Sequence, residues 1–338
     1  MIKYNLPPIP ACKICYSDKR NPEIDAIFKC QNDELLTIED EIALKEAIEF
    51  YRKLFPALKA INLSALDIDE VIGIQKYLDK AIDFSLLVRN DMTFNMIYRI
   101  TCVDESFREK GKVRDLKYLK YPSVDIVKKQ KRYNRANTFN KTVFYAASNW
   151  HIALLEIKPK PNQKIIMSVW KPKTDELFNS YPISNTTVDN DSVKIATDEL
   201  QKHVETSHPL WTEILDLLLA FLGSEFVKDC KTVHPNRFEY LFSAYFSDII
   251  LGPIISDEPE ANCDLIRYPS IAWNHKLDNI AMSPYCLDNK VMIHHAIEYE
   301  VEETYYEMNL PLEETPAALK FIREAKWFDD DLIIWEDE

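Results

Sequence analysis

Four glycines in 338 residues, Gly73, Gly111, Gly223 and Gly252, constrain this chain more than any motif it carries. Average usage near 7% would supply roughly two dozen. Glycine lets backbone turn to positive φ and approach a ligand closely. A Walker loop, a dinucleotide fingerprint and a kinase loop each need several glycines close together for that reason. None can be assembled from four scattered residues. Any nucleotide bound here has to be held by side chains.

Charge and cysteine usage narrow the classes further. A net charge of −14 argues against a polyanionic partner, because nucleic-acid binders usually present a broad basic face. "LDLLLAFL" is among the longest apolar runs and falls well short of the roughly 18 residues of a membrane span. "MIKYNLPPIP" lacks the apolar centre of a signal peptide. Seven cysteines at irregular spacing do not make a disulfide framework, so a reducing cytoplasm is the expected setting.

The pattern along the chain predicts an α+β protein in three regions: a Cys-containing helical region over residues 1–92, a strand-rich domain over 93–300, and an acidic tail over 301–338, either solvated or docked. In "TIEDEIALKEAIEFYRKLF", Thr37 reads as an N-cap with Asp40 three residues on. Ile42, Leu44, Ala47, Ile48, Tyr51 and Leu54 form its apolar stripe. "DIDEVIGIQKYLDKAIDFSLLV" reads as another helix. "MIYRITCV", "TVFYAAS" and "KIIMSVWK" read as strands. Residues 173–199 are polar and read as a long loop or lid. "PLWTEILDLLLAFLG" is expected to end at Gly223 as a C-cap, and "NRFEYLFSAYFSDIIL" repeats core aromatics at helical spacing. "DLIRYPSIAW" and "NIAMSP" return to strand.

Glu156 raises the sharpest chemical question. It closes the apolar "IALLE" of "TVFYAASNWHIALLEI", and a carboxylate among leucines at a helix C-terminus is costly unless it faces water or has a partner. Ser148 or Asn149 can cap that helix and Pro159 limits it, so strand, turn and helix would bring Tyr145 and Glu156 together. "KKQKRYNRAN" gathers Lys128, Lys129, Lys131, Arg132 and Arg135 into a basic cluster suited to phosphate. Of these, Arg135 is the better candidate and the lysines are as well read as solvated. Ser270 follows Pro269 at a strand end and has no nucleophile elbow around it, so it reads as a hydrogen-bond donor. Cys12 and Cys15 with Cys30 are weak zinc candidates, one ligand short of a structural site. His294 and His295 are neighbours on a strand and face opposite sides.

In chain order, the arginine of "YRI" (Arg99), the R-x-N of Arg135 and Asn137, Tyr145 in "FYAAS", Glu156 closing "ALLE", and Ser270 in "YPS" resemble the RES-domain family. The resemblance covers roughly 94–300, with 135–156 its most specific part. Asn134 stands where the family usually has glycine, and Leu265 follows Asp264 where the family often has Asp-Gly. The first 90 residues resemble the Cys-containing helical extension of longer members.

The resemblance implies an ADP-ribosyltransferase-like fold and NAD⁺ degradation, with inorganic phosphate as co-substrate and nicotinamide and ADP-ribose-1″-phosphate as products. It implies Glu156, Arg99 and Ser270 as catalytic residues, and Arg99, Arg135, Asn137, Tyr145 and Ser270 as NAD⁺-binding ones. Glu156 would stabilise the oxocarbenium-like transition state and Tyr145 would stack on nicotinamide. Many members are toxins held by an Xre-type antitoxin protein. A homodimer is left open. Two alternatives stand beside this: a glycohydrolase or ADP-ribosyltransferase on the same fold, and a catalytically inert binding module.

Overall fold

The computed structural model describes residues 4–13, 21–32, 34–82, 90–183, 198, 208–228, 238–252, 262–273, 277–306, 314–329 and 331–336. It is a mixed α+β architecture. Three helices open it: α1 (Pro22–Gln31), α2 (Ile38–Lys59) and α3 (Ile68–Ala81). Strands β1 (Asn90–Met92) and β2 (Ile97–Cys102) lead to a small hairpin of β3 (Arg108–Glu109) and β4 (Lys112–Val113). Helix α4 (Val124–Gln130) precedes β5 (Phe144–Ala147), and α5 (Trp150–Ile157) follows it. After β6 (Lys164–Pro172) and β7 (Phe178–Pro182) come α6 (Pro209–Phe226) and α7 (Leu241–Ile250). Strands β8 (Leu265–Pro269) and β9 (Asp278–Met282), helix α8 (Pro284–Lys290), β10 (Val291–Thr304) and β11 (Ala317–Ala325) complete the frame, closed by a hairpin of β12 (Trp327–Asp329) and β13 (Leu332–Ile334).

Thr37 and Asp40 form the expected capping box at the start of α2, satisfying two otherwise orphaned amides reciprocally. Leu44, Ala47, Tyr51, Leu54 and Leu58 are buried along one face. Ile42, expected in that stripe, is instead exposed: two positions back from Leu44 is a rotation of roughly 200°, onto the opposite side. Helix α6 also departs from expectation. It runs through Gly223 to Phe226, and Val227 N–H donates to the Gly223 carbonyl. The glycine is a buried position within the helix, not its stop.

Among the described residues, nine strands form one sheet in the order β1-β7-β8-β9-β5-β2-β6-β10-β11. Only β7 and β8 run parallel among the described pairs. The 173–199 segment therefore contributes a strand, β7, next to the edge strand β1, where a loop was expected; Phe178 and Tyr181 are buried, and residues 184–197 lie outside those described. The acidic tail is docked. Strand β10 continues past Glu300 to Thr304, β11 pairs with it, and the buried Trp335 indole N–H donates to the Val113 carbonyl at 2.8 Å. A bulge in β10 sits at Ile293/His295; His294 is exposed while His295 Nε2 pairs with Glu324.

The sheet's two faces follow the period-two alternation of its strands. Phe144, Leu265, Ile280 and Met282 pack into a core with Trp170, Leu287 and Trp335. Tyr145, Ile266, Tyr268 and Ala281 point the other way, toward a core shared by α1, α2, α3, α6 and α7. Phe55 of α2 stacks on Phe221 of α6 at 4.6 Å. Phe238, Leu241, Phe242, Tyr245, Phe246 and Ile249, the helically spaced core positions of "NRFEYLFSAYFSDIIL", all belong to this cluster or pack on it.

One weakness in the sheet positions the site. Strands β2 and β5 are neighbours but share only the pair Tyr98↔Ala147, whereas β2 and β6 pair along six residues. The sheet splays where β2 leaves β5.

Candidate functional site

A cavity of about 520 Å³ lies over this splay, within the range of small-molecule sites. Its walls are β2, β5, the end of α5, the segment 122–137 and the start of α7. Asn149 Oδ1 accepts from the His151 amide and caps α5. Lys158 ends the helix in the left-handed conformation, with φ of 47°. That short helix delivers Glu156 to the cavity wall, and Tyr145 lines the same cavity from β5, as the strand-turn-helix spacing predicts.

Glu156 is exposed to the cavity, yet one of its oxygens is held. Its Oε1 accepts from Ser270 Oγ at 2.6 Å and from Asn279 Nδ2 at 2.7 Å. Two donors on one carboxylate oxygen offset the misplaced charge at a helix C-terminus. Ser270 is fully buried behind Glu156 and does not line the cavity; in this state its hydroxyl serves the carboxylate, not a ligand.

Arg99 fills the gap in the ladder. Its Nη1 donates to the Tyr145 carbonyl at 2.8 Å, and the guanidinium lies 5.2 Å from the centre of the Phe144 ring. Its Nε is buried without a partner among the described residues. Burial lowers the Arg99 pKa to about 10, opposed by Tyr145. The group is still charged at neutral pH.

The R-x-N segment is a tight turn in which Asn134 and Asn137 bridge. Asn137 is buried, donating from Nδ2 to the Thr138 and Lys141 carbonyls at 2.8 and 3.0 Å. Its Oδ1 accepts from the Tyr145 hydroxyl at 2.8 Å, and that hydroxyl accepts from Ala136 N–H at 2.9 Å. Burial drives the Tyr145 phenol well above its ordinary pKa. Asn137 thus fixes the tyrosine whose ring faces the cavity. Arg135 donates to the Phe226 carbonyl at the end of α6 and to Tyr240 Oη at 3.0 Å, and it covers the Tyr240 ring at 4.7 Å. A cation at a helix C-terminus is stabilised by the macrodipole. Of the basic cluster, Arg132 and Arg135 line the cavity, while Lys128, Lys129 and Lys131 are exposed away from it.

Sequence reading passed over Tyr98, Tyr240, Tyr268 and Asn279, all of which line the cavity. Tyr240 is the N-cap position before α7 begins at Leu241, off the core stripe of Phe238 and Leu241, which was the available signal. Tyr268 is buried, its phenol raised well above the usual value by desolvation and then by Tyr145 and Glu156. Asn279 carries no sequence signal of its own; only the β8/β9 register brings it to Glu156.

The cysteine cluster stands apart. Cys12 and Cys30 are buried free thiols, pushed by burial to about 12 and about 11, and Cys15 lies outside the described residues. Among those described, no group of three or more His, Cys, Asp or Glu side chains is placed to hold a metal, and no helix is long and apolar enough to cross a membrane.

Fold and site together define an α+β protein with a tyrosine-lined cleft, arginines on one wall and a hydrogen-bonded carboxylate on another. No family model, curated protein or solved structure matches the chain.

Proposed function

We propose that this protein cleaves the nicotinamide–ribose bond of NAD⁺ with inorganic phosphate as acceptor, as a RES-type enzyme with an ADP-ribosyltransferase-like core. The observation that carries the reading is Glu156, a carboxylate held by Ser270 and Asn279 at the wall of a cavity that also presents Arg99, Arg135 and the ring of Tyr145. In the reaction the C1″–N bond breaks and its electron pair goes to the nicotinamide nitrogen, which leaves neutral. No general acid is needed. Phosphate oxygen forms the new bond to C1″. Glu156 stabilises the cationic ribose electrostatically. Arg99 and the exposed Arg132 supply charge for the diphosphate or the attacking phosphate, which suits a chain too poor in glycine for a backbone phosphate loop. Ser270 acts through Glu156. Such an activity fits a toxin or defence effector restrained by a helix-turn-helix antitoxin.

The test is nicotinamide release from NAD⁺ with and without inorganic phosphate, with the ribosyl product identified by phosphorus NMR. Phosphate-dependent release, lowered at least about 100-fold in Glu156→Gln, is the expected result. Release without phosphate would move the reading to a glycohydrolase or transferase. Folded protein that releases none is the outcome that sinks it and favours an inert binding module.

A further inference from the structure

We propose that Asn279 is a positioning residue for the Glu156 carboxylate, fixing one oxygen so that the other is presented to the reacting ribose; this rests on the NAD⁺-cleaving reading above. Asn279 lies on β9, flanked by β8 and β5, and its backbone is paired on both sides, with Tyr268 and with Ala147. Residues directly opposite on antiparallel strands share a face. Asn279 therefore shares a face with Tyr268, and by period two with Ser270, two residues on. The Ser270 N–H donates to the Leu277 carbonyl at 2.8 Å, and the partly buried Arg267 pairs with the buried Asp278 at the same end of β8 and β9. The donors to the carboxylate thus stand on backbone paired by β8, β9 and β5, the kind of support a precise site requires.

The amide orientation is dictated by chemistry. A carboxylate oxygen only accepts, so Nδ2 and not Oδ1 must face Glu156. Ser270 and Asn279 both donate to Oε1, leaving Oε2 without a share of either bond. Ser270 and Asn279 are both buried, Asn279 at the cavity wall, whereas Glu156 is exposed to the cavity. Asn279 thus holds the exposed carboxylate from its buried side and restricts its rotation. Without it, Ser270 alone leaves the carboxylate free to swing about one hydrogen bond.

The experiment is a pH profile of nicotinamide release for wild type, Asn279→Asp and Asn279→Leu, with near-UV circular dichroism to establish folding. Asn279→Leu should lower kcat about 100-fold with KM changed less than about threefold, at every pH. Asn279→Asp should be as impaired at pH 7.5, where two carboxylates repel. It should regain at least about tenfold towards pH 5.5, where one shared proton restores an O–H donor; wild type should show no such acid gain. Should Asn279→Leu not fold, Asn279→Ala carries the same comparison. An active wild type with an Asn279→Asp profile parallel to its own, or with full kcat in the apolar variant, overturns the positioning role and leaves the NAD⁺ reading standing. A wild type without activity overturns both.

Discussion

Tyr145 shows how one residue serves structure with its hydroxyl and the cavity with its ring. Tyr145→Phe leaves the ring in place but strands the Ala136 N–H and leaves Asn137 Oδ1 with only the longer bond from Asn134 Nδ2 at 3.3 Å. The expected loss is about 2 kcal/mol in urea unfolding, the penalty of unpaired buried groups, with nicotinamide release retained within about tenfold. A collapse in activity without loss of stability would show the hydroxyl to be chemical instead. Asp248 gives a second test at this scale. It anchors the same turn, accepting from Thr138 Oγ1 at 2.5 Å, and burial lifts its pKa to about 6 against the hydrogen bonds and Lys141. A folded-state pKa raised above the unfolded value means the native state binds the proton more tightly. The stabilisation is complete below about pH 4 and is lost as pH rises through 6. Asp248→Asn removes this dependence, so the stability difference between variant and wild type should grow by up to about 3 kcal/mol in the variant's favour from pH 4 to pH 7. A pH-independent difference would contradict the burial of a titrating carboxyl.

At the scale of elements, a buried ion triad joins three stretches far apart in sequence. Glu298 of β10 is fully buried between Arg108, at the β3/β4 hairpin, and Arg323 of β11. Arg323 in turn lies 5.8 Å from the Trp335 ring. Glu298→Gln leaves the buried Arg108 with only the exposed Glu105 as counter-charge, which should cost up to about 3–5 kcal/mol. Pairing it with Arg108→Met should recover much of that loss in a double-mutant cycle by urea unfolding, and simple additivity would disprove the coupling. Nothing in the sequence announces this triad, because Arg323 meets Glu298 through strand register and Arg108 reaches it from a separate hairpin. Local signals were legible: the Thr37 capping box, the cap at Asn149, the strand-turn-helix that unites Tyr145 with Glu156. What was illegible depended on pairing between distant strands. The polar composition around Phe178–Pro182 concealed β7, and the acidic count of "WFDDDLIIWEDE" concealed two inward residues, Ile333 and Trp335. Asn279 escaped for the same reason, whereas Ser270 was found because it follows Pro269 at a strand end.

At the scale of the whole molecule, the amino-terminal helices are part of the same core as the sheet. Tyr51, Leu54, Phe55 and Leu58 of α2 are buried in one cluster with Trp211, Leu218 and Phe221 of α6 and with Tyr268, which also lines the cavity. Burying four such side chains is worth on the order of 10 kcal/mol as an upper estimate, comparable with the entire stability of an ordinary domain. Removing residues 1–82 would uncover the apolar flank of α6 and loosen the wall that carries Tyr240 and Tyr268. The shortened chain should bind a hydrophobic dye, lose near-UV circular dichroism while keeping far-UV signal, and unfold without cooperativity. Adding residues 1–82 as a separate chain should restore at least part of the near-UV signal if the contact is the one described. A shortened chain that unfolds in a single sharp transition, with near-UV signal intact, would mean that the sheet holds its own core and that the first helices are an appendage.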